Sequence, residues 1–386
     1  MKVISNNVAV RCCACLGLLL SFLVIAFLVP LAVPYYNDFS VMYFTGKSFL
    51  HGIPIYDYPA QLVYVKTLAP ATFAFYPYPY PPWYALVTLP MAWLPIQVAA
   101  RFWFLLNLSM LSLAAWLLTP GWKFLPRSLA VLATVLFIPS FGLLVVGQFS
   151  VPVLLGAAIF IHAARKKSAL LLAGSLLLLT FKPHIGVLLF GAGFLWLWSE
   201  KSAQARRAVW LTLGGLVLLG LLGFLADPAW PLTYYQSLAR YRDLPGVQSC
   251  GLCASLPVML LRFISGQSNT PLAALVGLAL LLIFGTLLFW RYRFWQSLQQ
   301  PTTLIPVVAA LTLLVDPYLL NYDYILLLLP LFWLVGLARV AVLVIYFVPW
   351  LVLVSGNSGN VLLVCSGLVT FILFFVIGRE SLVVQD

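Results

Sequence analysis

The ionisable side chains that could do chemistry in this chain are few, and the first of them is an acid. Asp38 lies in the sequence Asn37-Asp38-Phe39, where a new segment begins after the first apolar run. A carboxylate there can act as a general base that takes a proton from an attacking hydroxyl. It can also cap a helix, because Asp is a favoured N-cap residue. The two roles are compatible, and Asp38 is the candidate catalytic residue.

A lysine with an unusual setting follows much later in the chain. Lys182 lies in the sequence Phe181-Lys182-Pro183-His184, between two short apolar runs. An ionisable residue at membrane depth is costly and usually marks a functional site, and a lysine can act there as a point charge on a phosphate. The alternative is that its side chain snorkels to the interface. His184 could help to bind the phosphate or could cap the next helix.

Two arginines form a second candidate site for phosphate. Arg240 and Arg242 lie in the sequence Ala-Arg-Tyr-Arg-Asp, and the guanidinium fork fits phosphate oxygens. An ion pair with Asp243 or contact with anionic lipid headgroups would explain them equally well.

Polar and aromatic side chains elsewhere could contact a sugar. Gln148 could donate to a sugar hydroxyl or cap a helix, and a carboxylate such as Asp323 could accept a hydrogen bond from one. Asp316 instead indicates a helix end, because it precedes a proline. Tyr80 belongs to a stretch rich in Tyr and Trp, which predicts anchoring at a membrane interface and some stacking on a sugar ring. The candidate sugar and acceptor contacts are Gln148, Asp323, Tyr322 and Tyr80.

The elements that must position these residues are helices in a membrane. Hydrophobic residues make up 63% of the chain and charged residues 8%, against about 45–50% and about 25% in soluble domains. A soluble chain of 386 residues could not bury that much apolar surface. The composition therefore predicts an all-α polytopic membrane protein, folded as a single domain over 1–386.

A span needs about 20 apolar residues, so the chain has room for about a dozen spans. The first, 13–33, follows Lys2 and Arg11 but is too long for a signal peptide and is expected to stay uncleaved. The predicted spans are 13–33, 98–118, 128–147, 149–164, 168–181, 184–199, 208–226, 271–290, 303–315, 324–337, 340–355 and 361–377.

The basic residues set the orientation. Fourteen of the 21 Lys and Arg residues fall in clusters that alternation places on the cytoplasmic side, together with both termini. Most acids fall on the other side, so the candidate site faces away from the cytoplasm, and the expected location is the inner (plasma) membrane of a bacterium. The formal charge of +12 is thereby a topology signal. No basic tract mixes with aromatics in a soluble segment, so nucleic acid is not an expected partner.

Two loops and one hairpin depart from a plain helix bundle. The first outer loop, 34–95, predicts an interfacial helix at 38–50, an irregular Pro-rich strip and a short half-inserted helix near 83–94. The basic clusters on either side of 168–199 leave room only for a hairpin of two short helices with Lys182 at its tip. Such a tip is tolerated at membrane depth only where it lines a wet cavity. The second large outer loop is 227–270, in which Cys250 and Cys253 could oxidise.

An ordered set of short motifs carries a family resemblance. The motifs are HGIPIYD at 51–57, YPYPP at 78–82, Gly147-Gln148, Lys182-Pro183 and DPYLLNYDY at 316–324. In this order they resemble glycosyltransferase family 87, which comprises membrane enzymes of the GT-C type that move a mannosyl or related residue from a polyprenyl phosphate. The resemblance runs from about Asn37 to Leu329.

The resemblance implies roles for individual residues. Asp38 would occupy the catalytic acid position of the first loop, and Lys182 the lysine after a small intramembrane hairpin. Gly147-Gln148 matches a Gly-Gln pair, and Tyr322-Asp323 a late Tyr-Asp or His-Asp pair. The family often has Asn two residues after the glutamine, where this chain has Ser150, so the chain departs from the family's pattern at this position.

The expected function is an inverting transfer of a mannose-like hexose from a polyprenyl-phosphate donor to a lipid or glycan acceptor, with membrane lipids as the other partners. Asp38 and Lys182 would then share one outward-opening chamber. The phosphate is itself the leaving group, and the chain has no Walker-type loop, DxD or HExxH motif, so no metal or other cofactor is expected. A transporter or lipid flippase is the rival, because buried charge and a broken helix are typical of transporters too. A non-catalytic scaffold is a third possibility, although it would leave Asp38 and Lys182 without a role.

Overall fold

The computed structural model describes residues 38–69, 73–244, 247, 253–266, 269–290, 299–355 and 358–383. The predicted first span at 13–33 lies outside them. Every regular element in these ranges is helical, as the composition predicts. Contacts divide the chain into two compact units. The first is Met1–Val151 with Gly220–Leu238, and the second is Pro152–Leu219 with Ala239–Asp386.

The first unit begins, in its described part, with a helix that the sequence predicts. Its helices are α1 (Asp38–Leu50), α2 (Tyr58–Leu68), α3 (Pro82–Thr88), a 3₁₀ helix (Leu89–Trp93), α4 (Ile96–Leu118), α5 (Phe124–Leu136) and α6 (Ile138–Val146). In α1 only Leu50 is exposed. The helix has the bounds that the sequence predicts, and its location at a membrane interface stays a prediction.

The Pro-rich strip is only partly irregular. Residues 73–81 have no regular structure, and the short helix expected near 83–94 is present as α3 and the 3₁₀ helix that follows it. Within the same strip, however, the sequence analysis missed α2. Asp57 caps that helix by accepting a hydrogen bond from the Ala60 amide at 3.2 Å. Pro59 fits the first turn because no N–H is needed there.

The span predicted at 128–147 is bent rather than straight. It consists of α5 and α6, whose axes differ by 58°. The break lies at Phe137, two residues before Pro139. Proline has no N–H to donate to the Val135 carbonyl, so the helix cannot continue through this point.

Helix length and composition, within the residues that the structure describes, indicate which helices could cross a membrane. Ile96–Leu118 and Ala203–Ala226 are long and apolar enough, and the bent pair would make a third span. Shorter apolar helices of 10–17 residues correspond to most of the other predicted spans within the described residues. A helix of that length is about 15–26 Å long, less than a hydrocarbon core of about 30 Å. The predicted count of about twelve spans is therefore not confirmed.

The second unit contains the predicted hairpin. Its helices begin with α7 (Val151–Lys166), α8 (Ala169–Leu179) and α9 (Pro183–Ser199), followed by α10 (Ala203–Ala226) and α11 (Trp230–Arg242), each of which has residues in both units. Gly186 of α9 lies directly against the Leu179 carbonyl at the end of α8, and Gly193 lies against Leu176. Because contacts pair later residues of α9 with earlier residues of α8, the two helices run antiparallel and Lys182 lies at the tip.

The rest of the second unit is arranged around one buried helix. The remaining elements are α12 (Leu256–Ser265), α13 (Thr270–Trp290), α14 (Pro301–Val315), a 3₁₀ helix (Asn321–Leu327), α15 (Leu328–Leu334), α16 (Arg339–Phe347), a 3₁₀ helix (Val348–Leu351), α17 (Val352–Ser355) and α18 (Ser358–Val383). Nearly every residue of α14 is buried. It ends at Asp316, as the sequence predicts. The outer loop predicted at 227–270 contains α11 and α12.

The close approach at the hairpin tip gives a direct test. A Cβ added at Gly186 would lie 1.9 Å from the Leu179 carbonyl oxygen. Gly186→Ala should therefore force α8 and α9 apart and lower the Tm of the purified protein by about 5 °C or more. Gly191→Ala is the matched control, because an added Cβ there has nothing within 4 Å. Equal Tm values for the two variants would contradict the described hairpin.

Candidate functional site

Three of the candidate residues meet in the first unit and form what we call the Asp38 cluster: Asp38, Gln148 and Tyr80. Asp38 is the first residue of α1 and is half-buried. Its Oδ2 accepts a hydrogen bond from Nε2 of Gln148, which lies 110 residues later in the chain. The Tyr80 hydroxyl donates to Oε1 of the same glutamine at 3.4 Å. The residues that the sequence separates therefore form one polar network.

A glycine brings Gln148 to Asp38. Gly147 ends α6 in the left-handed conformation, with φ of 73°, and its N–H donates to the Leu143 carbonyl at 2.9 Å. A Cβ at this position would lie 2.7 Å from the Cβ of Phe39, the neighbour of Asp38. The Trp103 indole N–H donates to the Gly147 carbonyl at 2.9 Å and fixes the turn from the other side. Glycine is therefore required before Gln148, because only glycine permits both the positive φ at residue 147 and the close approach to Phe39.

Aromatic rings line the same region. The Tyr80 ring is 4.4 Å from the ring of Phe149, and Tyr84 contacts the same phenylalanine at 4.4 Å. Tyr56 donates its hydroxyl to the Tyr80 carbonyl at 2.7 Å, which holds the irregular strip in place. Burial raises the pKa of Tyr56 far above its usual value, so this hydroxyl keeps its proton and donates.

Three further candidates meet in the second unit and form what we call the Lys182 cluster: Lys182, His184 and Asp323. The Lys182 ammonium lies 2.5 Å from Asp323 Oδ1, and His184 Nε2 lies 3.6 Å from Oδ2. The side chains of Lys182 and Asp323 are 3% and 0% exposed, whereas that of His184 is 30% exposed. Lys182 therefore does not snorkel to a surface, and His184 is the most accessible member of the cluster.

The loop after α14 places the carboxylate opposite the hairpin tip. Asp323 Oδ2 accepts from the Leu320 amide at 3.3 Å, and the ammonium of Lys182 lies 4.6 Å from the centre of the Tyr322 ring. The adjacent Lys182 and His184 side chains compensate the charge of this buried carboxylate.

Two tyrosines extend this cluster, and the sequence analysis gave them no role. The Tyr318 ring packs edge-on against His184 with ring centres 5.8 Å apart. Its hydroxyl lies 3.0 Å from the hydroxyl of Tyr241. Tyr318 belongs to the motif at 316–324, and this was the only indication in the sequence that it could lie near a site. For Tyr241 the sequence offers no indication except its position between Arg240 and Arg242.

The two arginines are not drawn into the cluster. Arg242 is exposed and pairs with Asp243, with Nε 3.0 Å from Oδ1, which is one of the alternatives open from the sequence. Arg240 is exposed and makes no ion pair within the described residues. These observations do not test whether Arg240 and Arg242 bind phosphate, so that role stays a prediction.

Two remaining points concern metal binding and cysteine. Within the described ranges, no three His, Cys, Asp or Glu side chains come together as metal ligands would. Cys253 is disulfide-bonded, and its carbonyl accepts from Arg262 at 3.4 Å. Cys250, with which the sequence left a disulfide possible, lies outside the described residues.

Comparisons with known proteins give one match. A family model, that of glycosyltransferase family 87, matches residues 78–317, more than half of the chain. No curated protein and no solved structure matches. The matched region contains Gln148 and Lys182, whereas Asp38 and Asp323 lie outside it. Asp38 and Lys182 belong to different units, so their expected action in one chamber stays a prediction.

The buried ion pair predicts a specific pattern of stability. Lys182→Met leaves the Asp323 carboxylate buried without its cation and should cost about 3–5 kcal/mol. Adding Asp323→Leu removes the uncompensated charge and should recover most of that loss. Thermal unfolding of the two single variants and the double variant in lipid nanodiscs measures the effect. Additive losses in the double variant would show that the two side chains are not coupled.

Proposed function

Because the chain belongs to glycosyltransferase family 87, we propose that it transfers a mannose-like hexose from a polyprenyl-phosphate donor to a lipid or glycan acceptor. Family membership makes it a membrane glycosyltransferase. The donor, the acceptor and the roles of individual residues are our proposal. The observation that supports this proposal most directly is the hydrogen bond from Gln148 to Asp38. It gives the half-buried Asp38 carboxylate an N–H donor, which favours the charged form that a general base needs.

Asp38 is the proposed general base. A carboxylate that accepts a hydrogen bond is favoured in its charged form, and a charged carboxylate can take a proton from a hydroxyl. Asp38 is half-buried, so an acceptor can reach it, while Gln148 is almost fully buried beside it. Tyr80 at the edge of this cluster is the proposed contact for a sugar ring.

The Lys182 cluster is the proposed site for the donor phosphate. The ion pair of Lys182 and Asp323 is neutral as a whole, so its attraction for an anion is weaker than that of an isolated lysine. His184 is the accessible member and can donate to phosphate when its ring is protonated. We assign His184 the direct contact, with Lys182 contributing charge from behind it. Tyr322, which is half-buried, is the proposed contact for the donor sugar, whereas the fully buried Asp323 is proposed to act on the sugar through Lys182 and His184. Arg240 and Arg242 are the proposed outer contacts for the phosphate.

An apolar cavity in the same unit supports a lipid donor. Its volume is about 480 Å³, and Leu314, one of its lining residues, lies two residues before Asp316. A single hydroxyl, that of Thr370, interrupts the otherwise apolar lining. The residues that line it are Leu256, Phe284, Leu314, Leu363, Gly367, Thr370, Phe371, Phe374 and Phe375. Such a surface favours an isoprenoid chain over a nucleotide.

The proposed reaction is a single displacement. Asp38 takes the proton from the acceptor hydroxyl, and the oxygen forms a bond to the anomeric carbon. The bond from that carbon to the phosphate oxygen breaks, and its electron pair leaves with polyprenyl phosphate. The configuration at the anomeric carbon is thereby inverted. The non-cytoplasmic face remains the proposed side of the reaction, because the positive-inside rule places the basic clusters in the cytoplasm.

Asp38→Asn should abolish transfer, because the amide has no basic oxygen to take the proton. We expect activity to fall by about 10²–10⁴-fold, with donor binding and Tm unchanged. Release of polyprenyl phosphate by the purified protein, given a labelled lipid-linked sugar, is the measurement. The same assay separates an enzyme from a transporter, because a transporter releases no polyprenyl phosphate.

Asp57→Asn is the matched control, since Asp57 is an exposed acid of the same segment that only caps α2. Full activity in Asp38→Asn would exclude Asp38 as the base. Loss of activity in both variants would indicate general damage to the segment.

A further inference from the structure

We propose that Gln148 is a positioning residue for the Asp38 carboxylate rather than a ligand of the sugar. This inference rests on the proposed role of Asp38 as the base. It gives Gln148 a different part from the sugar contact expected from the sequence.

The orientation of the Gln148 side-chain amide is fixed by donors on one side. Its Oε1 accepts from the Phe149 backbone N–H at 3.1 Å and from the Tyr80 hydroxyl at 3.4 Å. Both of these groups bring a hydrogen to the same oxygen. The NH₂ end must therefore point the other way, where it meets Asp38 Oδ2. A reversed amide would place its NH₂ against the Phe149 N–H and its oxygen against a carboxylate, so only one orientation satisfies all three partners.

The backbone of Gln148 is also held in place by its neighbours. The Gln148 N–H donates to the Leu143 carbonyl at 3.1 Å, and the residue follows Gly147, whose turn is fixed by Phe39 and Trp103. Gln148 is only 3% exposed. A side chain that is buried and bonded at both ends of its amide is poorly placed to follow a sugar, and well placed to hold a neighbour.

The chemical consequence concerns the protonation state and aim of Asp38. An N–H donated to a carboxylate stabilises its charged form and lowers its affinity for a proton. The same bond holds Oδ2 against the Gln148 amide and thereby fixes the orientation of the carboxylate. Gln148 itself gains and loses no proton. Its contribution is to keep Asp38 charged and oriented before the acceptor arrives.

The titration of Asp38 tests this role without relying on catalysis. The carboxyl C=O stretch of Asp38 can be followed against pH by infrared spectroscopy, as the band that Asp38→Asn removes. Gln148→Met keeps the length of the side chain and removes the N–H donor. We expect the titration midpoint of Asp38 to rise by about one pH unit, a tenfold increase in proton affinity.

A second variant covers the case in which the first fails to fold. Gln148→Glu keeps an oxygen for the Phe149 N–H and places a second carboxyl against Asp38, which should raise the midpoint further because two adjacent carboxyls cannot both ionise easily. Gln61→Met is the matched control. Gln61 is a buried glutamine of the same unit, and its Nε2 donates to the Pro54 carbonyl at 3.0 Å, not to Asp38.

The outcomes separate the positioning role from the proposed function. A raised midpoint with lower kcat and nearly unchanged KM values supports positioning. An unchanged midpoint in both Gln148 variants overturns it, as does a higher KM for donor or acceptor with kcat and pH profile unaltered, which would show a sugar contact. The remaining outcome is a raised midpoint in the Gln148 variants, while the unaltered protein transfers no sugar from any polyprenyl-phosphate donor. That result would support the positioning of Asp38 by Gln148 and would overturn the proposed function.

Discussion

Desolvation of polar groups is the constraint on which this structure depends. In a chain with so few charged residues and so much apolar surface, a charge placed among helices must find its partner within the protein, because little water reaches it. The pair of Lys182 and Asp323 shows the result, since both side chains are almost fully buried. Their contact joins the hairpin tip to the loop after α14, 141 residues away in the chain. The ion pair that neutralises these two buried charges therefore also holds the hairpin tip against the segment that follows α14.

The same constraint explains the Asp38 cluster. Asp38 opens a helix that is enclosed on nearly every side, and its carboxylate is held by an amide whose other end is already bonded. Gly147 makes this contact possible, because any side chain there would collide with Phe39. The candidate site in this unit therefore depends on packing, because Gly147 permits the close approach that brings Gln148 to Asp38.

The sequence predicted individual elements better than the pairs between them. The bounds of α1, the break of the hairpin at Lys182 and the helix end at Asp316 follow from local signals, namely a cap, a proline and the spacing of basic clusters. The bend at Phe137 was not predicted, because the apolar run at 128–147 continues through Pro139 without a charged residue. The helix α2 was missed because prolines and tyrosines dominate its surroundings.

Contacts over long separations lay beyond sequence reasoning. Nothing in the local pattern shows that Gln148 faces Asp38 or that Asp323 neutralises Lys182, because both depend on how distant helices pack. The family resemblance indicated that Asp38, Gln148, Lys182 and Asp323 could be site residues, but it did not indicate which of them contact each other. Knowing the partners changes the interpretation, since a paired Lys182 is a weaker anion ligand than a free one and the accessible His184 becomes more important.

The anomeric configuration of the product tests the central claim most directly, because a base that activates the acceptor and a phosphate that leaves in one step must invert the reacting carbon. Nuclear magnetic resonance of the product from a β-linked polyprenyl-phospho-sugar would decide it. The account predicts an α-linked product. A β-linked product would require two displacements and a covalent intermediate, and would contradict the assignment of Asp38 as the base.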